Sequence, residues 1–335
     1  MVLFPSSARL RKKRFILGLI LSGSAIGGAV WFFLYWQTPH VSGPLRQEVY
    51  VWQRAWTKPV RDAVTQHATN FAALAVLRAE ISWTTNRQPQ LTRANVDYET
   101  LARLRRPVGF ALRIGTYAGP FTNDAVATFI TATAARLVAE VRTNHVPLAE
   151  LQIDFDCAES KLDGYRVWIE AIQRRIAPLP VTITALPSWL DSRAFRRLAA
   201  GATNYVLQVH SAVRPRSAGA PYTLCDPQAA RRAVETAGRL GIPFRVALPT
   251  YGYLQAFYPN DNFLGHSAEG PRPNWPTNTL IRKVESNALE LSELIRDWTA
   301  HRPATMNGVI WYRLPVASDK HNWPWPMLQD VMRGD

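Results

Sequence analysis

The sequence predicts a (β/α)₈ barrel preceded by one transmembrane helix. Two observations predict the barrel. Strand-like runs alternate with helix-like runs along the chain, and 335 residues, 47% of them apolar, suffice to fill one large core. The third observation predicts the anchor. Phe15–Trp36 holds 22 residues without a charge, and a membrane helix needs roughly 20. Charged residues make up 19% of the chain, which excludes bulk disorder.

Residues 1–14 form a basic tail with Arg9, Arg11, Lys12, Lys13 and Arg14. Basic residues ahead of an apolar span predict a cytoplasmic N-terminus, hence a single pass through the inner membrane with the body facing the periplasm or cell exterior. Trp31, Tyr35 and Trp36 suit the far interface. A cleaved signal peptide is the rival reading. Its apolar core is shorter, roughly 7–15 residues, and ends Ala-x-Ala, which Ser22-Gly23-Ser24-Ala25 matches poorly. No Cys lies near the run, which argues against a lipoprotein. A polar linker with Pro39 and Pro44 spans 37–47, and the barrel takes 48–335.

The strands read as Val49–Gln53, Ala75–Ser82, Val108–Ile114, Leu151–Asp156, Val181–Leu186, Tyr205–His210, Phe244–Tyr251 and Gly308–Arg313. Helices are expected over Pro59–Asn70, Asn123–Asn144, Asp163–Ile176, Asp191–Ala200, Asp226–Leu240 and Asn278–Thr299. Several open on Asp or Asn, which accept hydrogen bonds from the free N–H groups of a first turn. Gly241 follows one helix end, where Gly is favoured. An open doubly wound sheet is the alternative fold. No G-x-G-x-x-G or Walker sequence follows the first strand to support it, and no cofactor is expected. Tyr251–Thr277 is too long for a plain connection and too rich in Pro, Asn and Gly for a helix, which is typical of functional loops.

The net charge is +14, which favours anionic partners without choosing among them. The twin arginines fall in or beside helices and read as solvated faces. With no zinc-finger, helix-turn-helix or RNA-binding signature, nucleic acid is not an expected partner. Cys157 and Cys225 are open to two readings in an exported body, a disulfide or two buried thiols.

In a barrel the C-terminal strand ends build the active site. The fourth strand ends Gln152-Ile153-Asp154-Phe155-Asp156. Side chains alternate, so if Ile153 and Phe155 face the helices, Gln152, Asp154 and Asp156 face the mouth. Carboxylates two residues apart lie within roughly 7 Å, which splits their pKa values into a proton donor and an ionised neighbour. Other strand ends offer Arg78 and Glu80, Arg113, Thr182 and Thr184, Gln208 and His210, Tyr251, and Trp311 and Arg313. Glu80 and Arg113 read equally as an internal ion pair. His210 reads as a lining residue more than a ligand, since no H-x-H or H-E-x-x-H accompanies it. Tyr253, Phe257, Tyr258, Phe263 and Trp275, with Asn260, Asn262 and Asn274, suit sugar rings and hydroxyls, or else cap the barrel.

Leu151–Asp156, Val181–Trp189, Gln208–His210, Ala247–Gly252 and Gly308–Pro315 resemble a bacterial family known as domain-of-unknown-function family 3142, over about residues 48–331. More distantly the layout resembles the chitinase-like glycosidases of glycoside hydrolase family 18, barrels with D-x-x-D-x-D-x-E on the fourth strand and a Trp on the eighth. In one register Leu151 replaces that motif's first Asp and Ala158 its Glu, with Glu159 one residue late. Shifted by two, Asp156 takes the acid position. Gln208 or His210 replaces the family's sixth-strand Tyr.

The resemblance implies a glycoside hydrolase-like barrel acting on an envelope or extracellular polysaccharide. Asp156 would be the general acid and Asp154 would tune it or stabilise an oxocarbenium or oxazolinium intermediate. Glu80, Arg113, Gln208, His210, Tyr251, Trp311 and Arg313 would position the sugar. The alternative is a non-catalytic glycan-binding or scaffold protein. A third reading is a metal-dependent hydrolase using Asp154, Asp156 and His210.

Overall fold

The computed structural model describes residues 38–86, 88–121, 124–211, 215, 217–267 and 273–335. The expected basic tail and membrane span at 1–14 and 15–36 lie outside the described residues. Among the described residues no helix is long and apolar enough to cross a membrane.

From His40 onward the chain forms one compact unit. Eight strands, β1 (Gln47–Val51), β2 (Ala73–Trp83), β3 (Val108–Ile114), β4 (Leu148–Phe155), β5 (Val181–Ala185), β6 (Asn204–Gln208), β7 (Phe244–Pro249) and β8 (Met306–Tyr312), pair in parallel in that order. β8 also pairs with β1, in the register Trp311–Val49, and this closes the ring. Each strand is followed by a helix: α1 (Lys58–His67), α2 (Tyr98–Arg103), α3 (Asp124–Thr143), α4 (Leu162–Ile176), α5 (Arg193–Gly201), α6 (Pro227–Gly238), α7 (Ala288–Ala300) and α8 (Trp325–Arg333).

Period-two alternation sorts the core into two compartments. Val49, Val51, Ile153, Phe155, Ile183 and Val246 pack outward against the helices. Tyr50, Trp52, Leu77, Ala111, Val206, Ala247 and Ile310 fill the barrel. Asp226 caps α6 by accepting from Ala229 N–H at 3.0 Å, and Gly241 beyond it takes φ +71°. Gly308 has φ +152°, and a Cβ there would lie 2.3 Å from the Arg46 carbonyl oxygen, so β8 can approach β1 only without a side chain.

Three expectations are corrected. The span expected as helix from Asn278 is a strand, Leu280–Glu285, and α7 starts later, behind Asn287, whose side chain accepts from Leu289 N–H at 3.1 Å. Leu280–Glu285 joins Gly252–Phe257 and Phe263–Ser267 in a three-stranded antiparallel sheet, so much of the expected long loop is sheet. Arg78 sits in a register shift of β2 between Leu77 and Ala79, which turns it away from the mouth. It bonds Glu140 of α3 at 2.6 Å, Tyr98 Oη at 2.6 Å and the Ala94 carbonyl at 2.7 Å.

The expected linker docks from its fourth residue. His40–Val41 pairs with Arg302–Pro303, and Gly43 N–H donates to the Thr299 carbonyl at 2.8 Å. Cys157 and Cys225 are buried, free thiols.

Candidate active site

The C-terminal mouth opens into a cavity of about 1140 Å³. β4 carries Gln152 and Asp154 inward, with Asp156 just past its end, while Leu151, Ile153 and Phe155 pack on the helix layer. Asp154 and Asp156 both line the cavity, and Asp156 stays exposed to it.

Asp154 accepts a hydrogen bond from Thr184 Oγ1 at 2.9 Å and lies 3.8 Å from Arg113 Nε. Burial raises its pKa and the Glu80 charge adds to this; Arg113 and Thr184 oppose without cancelling it. Loss of surrounding water within the cavity walls, and then the Asp154 charge, push Asp156 up to about 6, against the pull of Arg113. The pair therefore holds a carboxylic acid that stays protonated well above the ordinary Asp range, beside a second carboxyl group.

Arg113 bridges Asp154 to Glu80, 3.6 Å away. Glu80 also accepts two bonds from Arg54, at 2.6 and 3.0 Å. Arg54 and Arg113 line the cavity. Glu80 does not, so its place is behind the two arginines rather than on a ligand.

Gln208, His210, Tyr251 and Arg313 all line the cavity. His210 is buried, and burial lowers its pKa to about 3, so the ring is neutral. Its Nδ1 lies 3.4 Å from the Tyr251 hydroxyl, which also pairs with Ser211 Oγ at 2.9 Å. Among the described residues no group of three or more His, Cys, Asp or Glu is placed to hold a metal. Arg313 follows a cis peptide bond after Tyr312, and its guanidinium bonds Asp319.

Trp311 is not at the mouth. It is fully buried in the helix-layer core, where its indole N–H donates to Gln47 Oε1 at 2.7 Å. Alternation from Gly308 through Ile310 brings Tyr312 inward instead. Tyr312 lies over His210 (centroids 5.4 Å, 27°) and against Trp52 (5.3 Å) and Tyr50 (5.7 Å). Of the loop aromatics, Tyr253 and Phe263 line the cavity; Phe257 is fully buried and packs edge-on against Phe263 at 5.7 Å; Tyr258 is exposed.

The sequence reading missed Tyr50, Trp52, Tyr312 and Gln255 in the lining. It also missed an ionic layer below the mouth. There Arg245 donates to Glu48 at 2.5 Å and to Glu150 at 2.8 and 2.9 Å. Glu150 accepts from Thr182 and Gln152, each at 2.6 Å, and Gln152 accepts from the Tyr50 hydroxyl at 2.7 Å. Each of these charges sits early in its strand, away from the ends where chemistry was sought. Gly109 makes room, since a Cβ there would lie 3.0 Å from Glu150 Cγ.

A family model described as "Domain of unknown function (DUF3142)" matches residues 106–317. The chain belongs to this family. The match runs from β3 through β8, so the DUF3142 segment contains both acids and the whole described lining except Tyr50, Trp52 and Arg54. A comparison with curated protein sequences returns no match. Among solved structures, this DUF3142 protein is similar in fold to the spore cortex-lytic enzyme SleL of Bacillus megaterium QM B1551. The identity is 12% and the TM-score 0.61, over 88% of this chain and 74% of that one. It is also similar to a chitinase from Chromobacterium violaceum ATCC 12472 (14%, TM-score 0.58, 87% and 98%). A glycoside hydrolase family 18 N-acetylglucosaminidase from Paenibacillus barengoltzii gives 11% and 0.54 over 87% and 100%. At these identities the likeness is one of fold.

Proposed function

We propose that the protein is a glycoside hydrolase-like enzyme of the cell envelope that cleaves a polysaccharide by carboxylate acid chemistry. The observation that carries the reading is the acid pair. Asp156, with its pKa raised to about 6, faces an open cavity beside Asp154. Asp156 donates its proton to the glycosidic oxygen as the anomeric C–O bond breaks, and water then adds to the anomeric carbon and returns a proton to Asp156. Asp154, oriented by Thr184 and Arg113, stabilises the positive charge that develops on the sugar. Tyr312 and His210 give the ring an apolar face, and Gln208, Tyr251 and Arg313 meet hydroxyls. The fold neighbours support this reading through their named activities, a cortex-lytic enzyme, a chitinase and an N-acetylglucosaminidase. The uncharged 15–36 segment behind a basic tail supports a single-pass inner-membrane anchor, with the barrel facing the periplasm or cell exterior.

One observation favours a second reading, a glycan-binding protein without turnover. Ala158 stands where the family 18 motif has its Glu, and Glu159 is exposed on a short 3₁₀ turn (Glu159–Lys161) and does not line the cavity. The full chain and its Asp156→Asn variant, incubated with envelope and capsule-type polysaccharides, separate the two. Release of reducing ends by the wild type alone supports the enzyme. Binding by both with release by neither supports the binder and overturns the enzyme.

A further inference from the structure

We infer that the cavity wall across from the acid pair reads an uncharged hydrogen-bonding substituent, so that the glycan taken here is neutral although the chain is basic. The inference rests on the glycan reading above. Two buried polar groups in the lining carry it. Gln255, on the strand Gly252–Phe257, is 0% exposed, and neither its Oε1 nor its Nε2 has a partner among the described residues. Trp52, just past β1, is 3% exposed, and its indole N–H is likewise unpartnered. A buried polar atom without a partner gives up its hydrogen bonds to water for nothing in return. Trp56, Trp168, Tyr205 and Ser292 carry such atoms too, but away from the cavity, where no ligand can reach them. Two of them in the lining of one cavity mark where a ligand supplies the missing bonds. In the closed ring β8 lies across from β4. β1 adjoins β8, and the Gln255 strand follows β7, so both groups belong to the side facing Asp154 and Asp156.

The pattern of unmet bonds fixes the chemistry of the group held at this wall, and the other charges of the cavity bear on the rest of the sugar. Gln255 needs one donor and one acceptor, and Trp52 needs an acceptor. A carboxylate offers acceptors only, which leaves Gln255 Oε1 against like lone pairs. An ammonium offers donors only, which leaves both N–H groups unmet. Hydroxyls or a neutral amide satisfy all three. The arginines of the lining do not rescue an anion. Arg54 is bound to Glu80, Arg113 lies between Glu80 and Asp154, and Arg313 is bound to Asp319. An anionic sugar would also meet the acid pair itself.

The test uses the detergent-solubilised full chain, titrated calorimetrically with four oligomers of equal length: a neutral hexose oligomer, an N-acetylhexosamine oligomer, a hexosamine oligomer and an oligo-uronate. At least one neutral oligomer is expected to bind about tenfold or more tighter than either charged one. Gln255→Met keeps the shape and removes both unmet atoms. It is expected to weaken neutral binding about tenfold while raising the Tm of the free protein, a combination that a purely structural side chain does not give. Trp52→Phe keeps an aromatic ring, loses the N–H and should weaken the same ligand several-fold; if Gln255→Met does not fold, it carries the test alone. Equal or tighter binding of the oligo-uronate or the hexosamine oligomer overturns the inference and leaves the glycan reading intact, as does unchanged affinity in both variants. Binding of none of the four overturns the glycan reading, and the inference with it.

Discussion

Tyr312 lies over His210 with ring centroids 5.4 Å apart and 27° between planes, at the floor of the mouth. Trp311, one residue earlier, faces the other layer. The two rings make opposite predictions. Tyr312→Ala should weaken oligosaccharide binding by about 0.5–1.5 kcal/mol, the range of a lost aromatic contact, and leave the fold intact. Trp311→Ala should cost about 3–5 kcal/mol of stability without changing the affinity of the folded fraction. Urea unfolding and calorimetric titration of both variants check this.

Asp156 is protonated up to about pH 6 in the native state and ordinary when unfolded. The native state therefore binds more protons between about pH 4 and 6. Stability should fall as pH rises through that window, because a raised acid destabilises once it must ionise. Asp156→Asn cannot ionise and should lack that slope, most visibly as a higher Tm than the wild type near pH 7. A series of thermal melts from pH 4 to 7 decides it. The carboxyl is exposed to the cavity, so water screens the effect and it should be modest.

Arg113 lowers the pKa of both acids. Arg113→Met removes that pull, so both acids should titrate higher. The activity lost on deprotonation of Asp156 should then persist above pH 6, shifting the alkaline limb of the rate profile upward. Glu80 would retain Arg54, so the fold should tolerate the change.

In the buried layer Arg245 is shared by Glu48 and Glu150, and Glu48 also accepts from Arg46 at 2.7 Å. Arg245→Met strands Glu150 and leaves Glu48 with Arg46 alone, and should destabilise the barrel by about 3–5 kcal/mol. Replacing Glu48, Arg245 and Glu150 together with apolar residues should recover much of this. Denaturant midpoints of the single and triple variants measure the difference.

The sequence made the barrel legible because eight runs alternate with helices, and it made the acid pair legible because Ile153 and Phe155 leave Asp154 and Asp156 one direction to face. It did not separate Trp311 from Tyr312. Val309–Tyr312 is apolar or aromatic at both parities, and only the pairing to β1 sets which side is which. Arg78 misled for a related reason, since a register shift is invisible in the alternation it breaks. Leu280–Glu285 mixes apolar and charged residues in a way that suits helix or strand, and its partner strand, not its composition, decides. Gln255 carried no signal, because its meaning lies in bonds it does not make among the described residues.

The most direct test is the titration of the Asp156 carboxyl itself. Carbonyl ¹³C NMR of Asp-labelled full chain, with Asp156→Asn to assign the signal, reads it without a substrate. The expected result is a midpoint near 6. A midpoint in the ordinary range near 3.8 would leave Asp156 already ionised at about pH 5 and contradict its role as the proton donor.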